Sequence, residues 1–454
     1  MESQAAAAPS TVWAPEWRGL TVGLVVTVTL VASEALAVAT ILPLVARDLD
    51  GLSLYGWVIS AFFLGTLVGL VIGGEEVDRR GPATPFAVSL AFFAAGLVTA
   101  GLAPAMWVVV TGRVLQGLGA GALPAISYAA IGRTIPDALR PRVFAILSTA
   151  WVIPGIAGPG AAAAVAAAFG WRAVFLGLLP FVVAAGTVAY RALRPIGPPD
   201  QPSEAAHRIV PALGLAAAAA LALAALQQRS LVSFVLLPAS FLVGWRPART
   251  LFPPGTLRAA PGLPATVLVR GLLIFGFFGA DTFVPLMLVQ VRGESTALAG
   301  AALTSATLAW TTAAWVQARY VLRLGARMFV RTGLVVVVVG VAATAVTLLP
   351  EVPPATAVAT WGVAGFGIGL AYSVLSLTTL REASPGQEGT ASASLNLAEN
   401  LGVAFGAGIG GAAVAAAAAH GRIAAGIAVA FAIAATVALV GVVAAANVPA
   451  ASPQ

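Results

Sequence analysis

The sequence predicts an all-α polytopic membrane protein. Three observations predict it: a composition too apolar for water, a succession of runs each long enough to cross a bilayer, and arginines that alternate in number from one inter-run segment to the next. Of 454 residues, 59% are hydrophobic and 9% charged, against about a quarter charged in soluble domains. A water-soluble fold of this length could not hide so much apolar surface, so lipid is the solvent for most of the chain.

A helix needs about 20 apolar residues to span the hydrocarbon core. Such runs fall at 19–45, 56–76, 84–103, 106–130, 143–168 and 173–190, then at 208–226 and 230–245. Six more follow at 264–290, 296–318, 328–349, 354–378, 390–418 and 423–446. The middle pair holds almost nothing polar, unlike a soluble linker, and brings the total to fourteen. A re-entrant hairpin there would leave the sidedness of every other run unchanged. Residues 1–18 lead directly into the first run, which predicts a retained span in place of a cleaved signal. The expected layout is a tail at 1–18, a six-helix bundle at 19–194, a linker with two additional helices at 195–258, a second six-helix bundle at 259–447 and a tail at 448–454.

Net charge is +7, and every basic residue is arginine. In a soluble protein this balance would suggest nucleic acid, but the arginines are scattered between apolar runs, and no nucleic-acid module is present. With the N-terminus inside, seventeen of the 24 fall on cytoplasmic segments and five on external ones. Arg113 and Arg270 lie within spans. That bias follows the positive-inside rule and places both termini in the cytoplasm. Cysteine is absent, which excludes disulfides and thiolate sites. His207 and His420 stand far apart near helix ends and read as structural. There is no metal-ligand cluster, nucleophile motif or phosphate loop, so neither an enzyme nor a bound cofactor or metal is expected.

The chain repeats itself. Thr40-Ile-Leu-Pro43-Leu44 closes the first run, and Thr282-Phe-Val-Pro285-Leu286 recurs near the end of the ninth. About 40 residues after each proline comes a basic glycine turn, Asp78-Arg79-Arg80-Gly81 and then Arg323-Leu-Gly325-Ala-Arg327. Two parallel halves around a central site are the plan such a repeat implies. Alanine and glycine fill the spans, where small residues let helices approach closely in lipid.

Three motifs give the chain a family resemblance. Gly74-Glu-Glu-Val-Asp78-Arg79-Arg80-Gly81 follows the second run, Arg113-Val-Leu-Gln116-Gly117-Leu-Gly119-Ala-Gly121 lies in the fourth, and Pro154-Gly155-Ile-Ala-Gly158-Pro159-Gly160 in the fifth, with Gly170-Trp171-Arg172 after it. These resemble the G-x-x-x-D-R-x-G, R-x-x-Q-G-x-G-x-G and antiporter signatures of the major facilitator superfamily. Pro82 and Ala83 stand where the first usually continues with basic residues. The fourteen runs resemble the drug:H+ antiporter branch, whose first-span aspartate, nine residues before a proline, is here Glu34. The resemblance implies the major facilitator fold, two six-helix bundles plus two extra central helices. It also implies conformational roles for Gly74, Asp78, Arg79, Gly81, Arg113, Gln116, Pro154, Gly155, Gly158 and Pro159. An acid and arginines at a tight turn can bridge helix ends, and a glycine- and proline-rich span can bend.

Charge inside a span is rare and marks function by default. Glu34, Asp281 and Glu399 are the span acids. Glu34 and Asp281 occupy the equivalent helix of each half, at similar depth by their rise along the helix. They are expected to face each other across a cavity, with Glu399 deeper towards the cytoplasm. A carboxyl in a low-dielectric cavity resists ionisation, so it can take a proton from one side and release it to the other, and a cationic substrate would compete for the ionised form. The opposing expectation is that one or two of these acids pair with Arg113 or Arg270 and are structural. Glu75 and Glu76 read as loop charges. Trp57, Trp151, Phe278, Trp310 and Trp361 could line a site and hold cations through their faces, with Asn396 and Asn400 as further candidate contacts.

The expected protein is a proton-coupled antiporter that exports hydrophobic or cationic small molecules by alternating access from a bacterial plasma membrane. Its partners would be protons, a lipophilic substrate and membrane lipids, and it would act as a monomer. A lipid transporter of the same fold, or a nutrient:proton symporter, are the alternatives.

Overall fold

Backbone polar groups in lipid must be satisfied within their own segment, which leaves the helix as the form these apolar runs can take. In the computed structural model, which describes residues 11–136, 139–198, 208–228, 232–384 and 387–450, all regular structure is helical. His207 and most of the two tails lie outside the described residues. The first half holds α1 (Pro15–Asp48), α2 (Tyr55–Arg80), α3 (Ala83–Gly101) and α4 (Met106–Thr134). Then come α5 (Arg140–Thr149) with α6 (Val152–Phe169), and α7 (Trp171–Leu176) with α8 (Leu179–Leu193), each pair forming one segment. The central pair is α9 (Ile209–Gln227) and α10 (Ser233–Leu251). In the second half, α11 (Leu263–Asp281), α12 (Val284–Leu286) and a π-helical turn at Met287–Val291 make one segment. It is followed by α13 (Thr296–Leu324), α14 (Ala326–Val346), α15 (Thr356–Glu382), α16 (Glu388–Ala418) and α17 (Ile423–Ala444). Among the described residues, 12 segments are long and apolar enough to cross a membrane. The other two, α10 and α13, are as long but less apolar, which is compatible with fourteen crossings.

Three runs expected to be continuous are broken, at α5/α6, α7/α8 and α11/α12, and in the first and last the freed carbonyl is the one a proline cannot serve. Pro154 has no N–H to give to the carbonyl of Ala150. Helix α5 ends there, and the freed carbonyl takes the hydroxyl of Thr29, on α1, at 3.3 Å. Pro285 likewise leaves the carbonyl of Asp281 without its helical partner. Helix α11 stops at that residue, and the chain re-enters through α12 and the π-turn.

Helices α2 and α4 form the closest seam of the first half. Its glycines serve both sides: a Cβ on Gly65 would lie 2.6 Å from the carbonyl oxygen of Val114, and one on Gly73 would lie 2.7 Å from Cα of Ala122. From the facing helix, Gly117 lies against the carbonyl of Phe62 and Gly121 against that of Thr66. In the second half, α13, α14 and α15 pack together, and α11 lies against α16 and α17.

The central pair is built into both halves. Helix α9 lies against α2 on one side and α16 on the other. The Glu75 carboxylate, on α2, accepts from the backbone N–H of Arg208 (2.8 Å) and Ile209 (3.2 Å), which caps the start of α9. The Arg208 guanidinium reaches Thr390 of α16 at 3.3 Å. At the other end of α9, the Gln227 side chain donates to the carbonyl of Ser53 and accepts from the indole of Trp57. Glu75 is therefore not a loop charge but a cap, whereas Glu76 does pair with surface Arg79 and Arg80 at 3.4 and 3.0 Å.

Two outcomes follow from this packing. Gly117→Val forces a branched side chain into the α2 carbonyl ridge, and overpacking of this kind costs about 1–3 kcal/mol. A lower melting temperature of the purified protein, followed by tryptophan fluorescence, is the expected result. Glu75→Ala removes a cap worth about 1 kcal/mol, so hydrogen–deuterium exchange in the first turn of α9 should quicken several-fold.

Candidate functional site

The two halves meet at one end of the bundle, the end where α1 and α11 finish. Tyr55, at the start of α2, donates its hydroxyl to the carbonyl of Thr282 at 3.1 Å. Gln290 donates to the carbonyl of Pro43 at 3.0 Å, and Ser60 to that of Ala404 at 2.7 Å. A Cβ on Gly300, on α13, would lie 3.2 Å from Pro159 of α6, so the glycine- and proline-rich motif is where α6 touches the other half. Gly155 of the same motif lies against the Thr307 side chain, and Leu36 of α1 is the near neighbour of Gly158, at 3.8 Å. Further along the bundle, Tyr128 of α4 is 55% exposed yet within electrostatic reach of Glu399 on the opposite half. Its exposure therefore opens into the space between the halves.

Within the first half, Glu34 is completely buried beside a 2% exposed Arg113, and the two form an ion pair. Gln116 accepts from the same guanidinium nitrogen at 2.8 Å and donates to Glu34 at 3.0 Å. The guanidinium also donates to the Val58 carbonyl at 3.3 Å and lies 4.2 Å over the Phe62 ring. One oxygen of Glu34, Oε2, has no hydrogen-bond partner. The expectation that Glu34 and Asp281 face one another is not met. Glu34 is turned into its own half, because a carboxylate kept from water takes the nearest cation.

The second half carries a continuous polar and aromatic wall. Asp281 accepts from the indole N–H of Trp361 at 2.9 Å. The Trp361 ring stacks on Phe277 at 5.0 Å, and Phe277 meets Phe278 and Trp310 edge-on at 5.1 and 5.9 Å. Trp310 lies 5.1 Å from the Tyr372 ring, whose hydroxyl donates to Glu399 at 3.1 Å. Arg270 closes the wall: it binds Glu399 at 2.8 Å and the Tyr372 carbonyl at 2.7 Å, and its guanidinium lies 3.3 Å over the Tyr372 ring. Glu399 is 23% exposed, so this pair borders the open space that Glu34 is sealed from.

Three of the five aromatic candidates, Phe278, Trp310 and Trp361, thus come together. Trp57 does not join them, because its indole is drawn to Gln227 on α9. Trp151 begins α6 at 48% exposure, apart from the wall. Asn400 donates to the carbonyl of Asn396 at 2.9 Å, a bond within α16. Sequence reasoning passed over Tyr55, Tyr128 and Tyr372, three of the five tyrosines in a chain where a hydroxyl within an apolar run is itself the signal.

At the arginine-rich end, Asp78 bridges to Arg133 of α4 at 3.3 Å, and Arg133 also donates to the Gly197 carbonyl at 3.1 Å. Gly81 adopts φ 77°, and a Cβ there would meet the chain at Ile196–Pro198 at 3.0 Å. The bridge between helix ends is made by Asp78 with a partner on α4, whereas Arg79 and Arg80 remain with Glu76 on the surface. Gly74 has open space around it. At the opposite end, Asp48 accepts from the Trp171 indole at 2.9 Å and from Arg172 at 3.0 Å, which pins α7 to the end of α1.

Two helical halves around a space bordered by acids and aromatic rings define a polytopic membrane transporter. The Major Facilitator Superfamily model matches residues 22–407, and the chain belongs to that superfamily. It is 29% identical over 411 residues to the protein named "Probable multidrug-efflux transporter Rv1634" of Mycobacterium tuberculosis, covering 84% of each chain. It is 23% identical over 404 residues to the multidrug transporter protein MdtP of Bacillus subtilis, covering 85% of this chain and 73% of that one. Among solved structures, it shares its fold with the peptide-transporter-family protein PepTSo, at TM-score 0.70 and 13% identity over 95% of this chain and 98% of that one. It also shares it with an inward-facing bacterial homologue of the human lysosomal transporter Spinster, at TM-score 0.69 and 14% identity over 96% and 97%.

Breaking a largely buried ion pair from one side costs about 3–5 kcal/mol, because the remaining charge is left alone. Arg270→Ala is therefore expected to lose most folded protein in membrane extracts. The double variant Arg270→Ala/Glu399→Gln should recover it, as read by monodisperse elution in detergent.

Proposed function

We propose that this transporter is a proton-coupled antiporter that exports lipophilic, including cationic, small molecules, with Asp281 as the proton-binding carboxyl. The observation that carries the reading is the different company of the three span acids. Glu34 and Glu399 each have an arginine within ion-pair distance, whereas Asp281 has an indole N–H. A proton is the counter-charge such a carboxyl can acquire without moving a helix. The relatives named as multidrug transporters support an exported small molecule as the substrate.

In this reading the arginine-rich end faces the cytoplasm, both termini lie there, and the cleft beside Tyr128 and Glu399 admits substrate from that side. The aromatic wall from Trp361 to Tyr372 offers flat apolar faces that attract cations. Substrate taken up against the wall favours the ionised carboxyls. A proton arriving at Asp281 from outside replaces it after release. Glu34 stays with Arg113 through the cycle and sets the packing of α1 on α4, while Glu399 exchanges Arg270 for a cationic substrate when one is bound. Binding and proton transfer complete the cycle with no covalent step.

Transport in proteoliposomes with an imposed pH gradient tests this. Asp281→Asn should abolish gradient-driven movement of a lipophilic dye cation, to within about a tenth of the parental rate, while counterflow without a gradient persists and the melting temperature is unchanged. Parental rates in Asp281→Asn would exclude the carboxyl as the coupling site. Concentrative transport by the unaltered protein at the same rate with and without the pH gradient would exclude proton antiport.

A further inference from the structure

Asp281 is the last residue of α11, and the chain beyond it is held by the other half of the molecule. The helix breaks at Asp281, four residues before Pro285, and the Thr282 carbonyl lies in the turn that follows, open to a bond from outside its own segment. It accepts from Tyr55, at 3.1 Å. Tyr55 is fully buried, its ring 5.8 Å from that of Phe283, and it is within electrostatic reach of Asp281. A hydroxyl from the first half thus holds the hinge of the second, one residue beyond the acid.

We propose that Tyr55 is the positioning residue that couples Asp281 to the seal between the halves: its hydroxyl holds the Thr282 carbonyl while the Asp281 carboxyl carries a proton, and turns to the carboxylate when the proton leaves. A charge-assisted hydrogen bond is roughly twice as strong as a neutral one, so ionised Asp281 outcompetes the carbonyl. The hinge after α11 then loses its tie to α2, and the end of the bundle where the halves meet can part. The inference rests on Asp281 being the proton site.

The surroundings leave Tyr55 this role. Trp361 of α15 donates to Asp281, and Tyr55 of α2 donates to the carbonyl of the next residue. Of the charged or titratable groups on elements packed against α11, Glu399 of α16 and Tyr372 of α15 are engaged with Arg270. Arg258 in the turn before α11, Arg327 and Arg331 of α14, Arg381 and Glu382 of α15 and Glu388 of α16 stand towards the end where α11 begins, away from Asp281. Glu34 of α1 is engaged with Arg113. Helix α17 carries no ionisable residue. The second cross-half bond at this end, Gln290 to the Pro43 carbonyl, involves no ionisable group and provides the comparison.

The cysteine-free chain allows a direct test. Val284→Cys places a thiol in a fully buried position beyond the hinge. Its labelling by a membrane-impermeant maleimide, in vesicles exposing that end, is divided by the rate at exposed Ala297→Cys to remove the pH dependence of the thiol itself. In the Tyr55 protein the normalised rate should rise with pH, on the order of tenfold, as Asp281 ionises and takes the stronger bond. Tyr55→Phe keeps the ring and removes the donor. It should label on the order of fivefold faster at low pH, the population shift one hydrogen bond carries, and its pH step should shrink to within about twofold. Gln290→Ala should also label faster but keep the full step. A Tyr55→Phe protein that melts normally and retains both the low rate and the full step overturns the latch. A full step in Asp281→Asn overturns the assignment of Asp281 itself, and so separates failure of the latch from failure of the reading beneath it.

Discussion

The cost of an uncompensated charge away from water organises this molecule. The described spans bring two arginines and three acids into the bundle, and their pairing decides which helices must stay together. Arg113 ties α4 to α1 through Glu34 and to α2 through the Val58 carbonyl. Arg270 ties α11 to α16 through Glu399 and to α15 through the Tyr372 carbonyl. Each arginine thereby unites three helices of one half, so each half can move as a unit. The halves themselves are joined by neutral bonds at one end, from Tyr55, Ser60 and Gln290, whose rupture exposes no bare charge.

Proline and glycine supply the geometry that charge alone cannot. Pro154 and Pro285 break helices, and a hydroxyl from another segment meets the chain at or beside each break, Thr29 at the Ala150 carbonyl and Tyr55 at the Thr282 carbonyl one residue beyond Asp281. The glycines of α2 and α4 let backbone touch backbone, which fixes those helices more tightly than large side chains would in a solvent as apolar as the core. A half is thus rigid along its seams and weak at its proline breaks, and one of those breaks adjoins Asp281.

Much of this was legible in the sequence. The apolar runs gave the order of the segments because lipid demands length and hydropathy, both of which are local properties. The alternative that Glu34 and Glu399 pair with arginines was also readable, since buried charges of opposite sign seek each other. Partners set by rotation about a helix axis were not legible. Nothing in the spacing of Glu75 told that it caps α9, because the contact joins residues 133 apart. Trp57 had the composition of a cavity residue, yet a glutamine on the inserted pair takes its N–H. The breaks at Ala150 and Asp281 were foreshadowed by the prolines four residues on, but which hydroxyl from another segment meets the chain beside each break is set by packing.

The two halves repeat one arrangement with one substitution, and the difference sets their roles. The acid of the first segment lies against the fourth segment in both: Glu34 on Arg113 of α4, and Asp281 on Trp361 of α15. A guanidinium brings a permanent positive charge, so the first acid has a fixed counter-charge beside it. An indole brings a single N–H and no charge, so the second acid gains no counter-charge from it, which is why the proposed reading gives the proton to Asp281. The aromatic wall begins at that same indole and runs to the remaining charged pair, so whatever cation occupies it lies between an acid that is uncommitted and one that is held. Had both halves carried arginine, the bundle would be doubly clamped. With tryptophan in one of them, the proposed reading makes of the repeat a fixed half and a half whose charge can change.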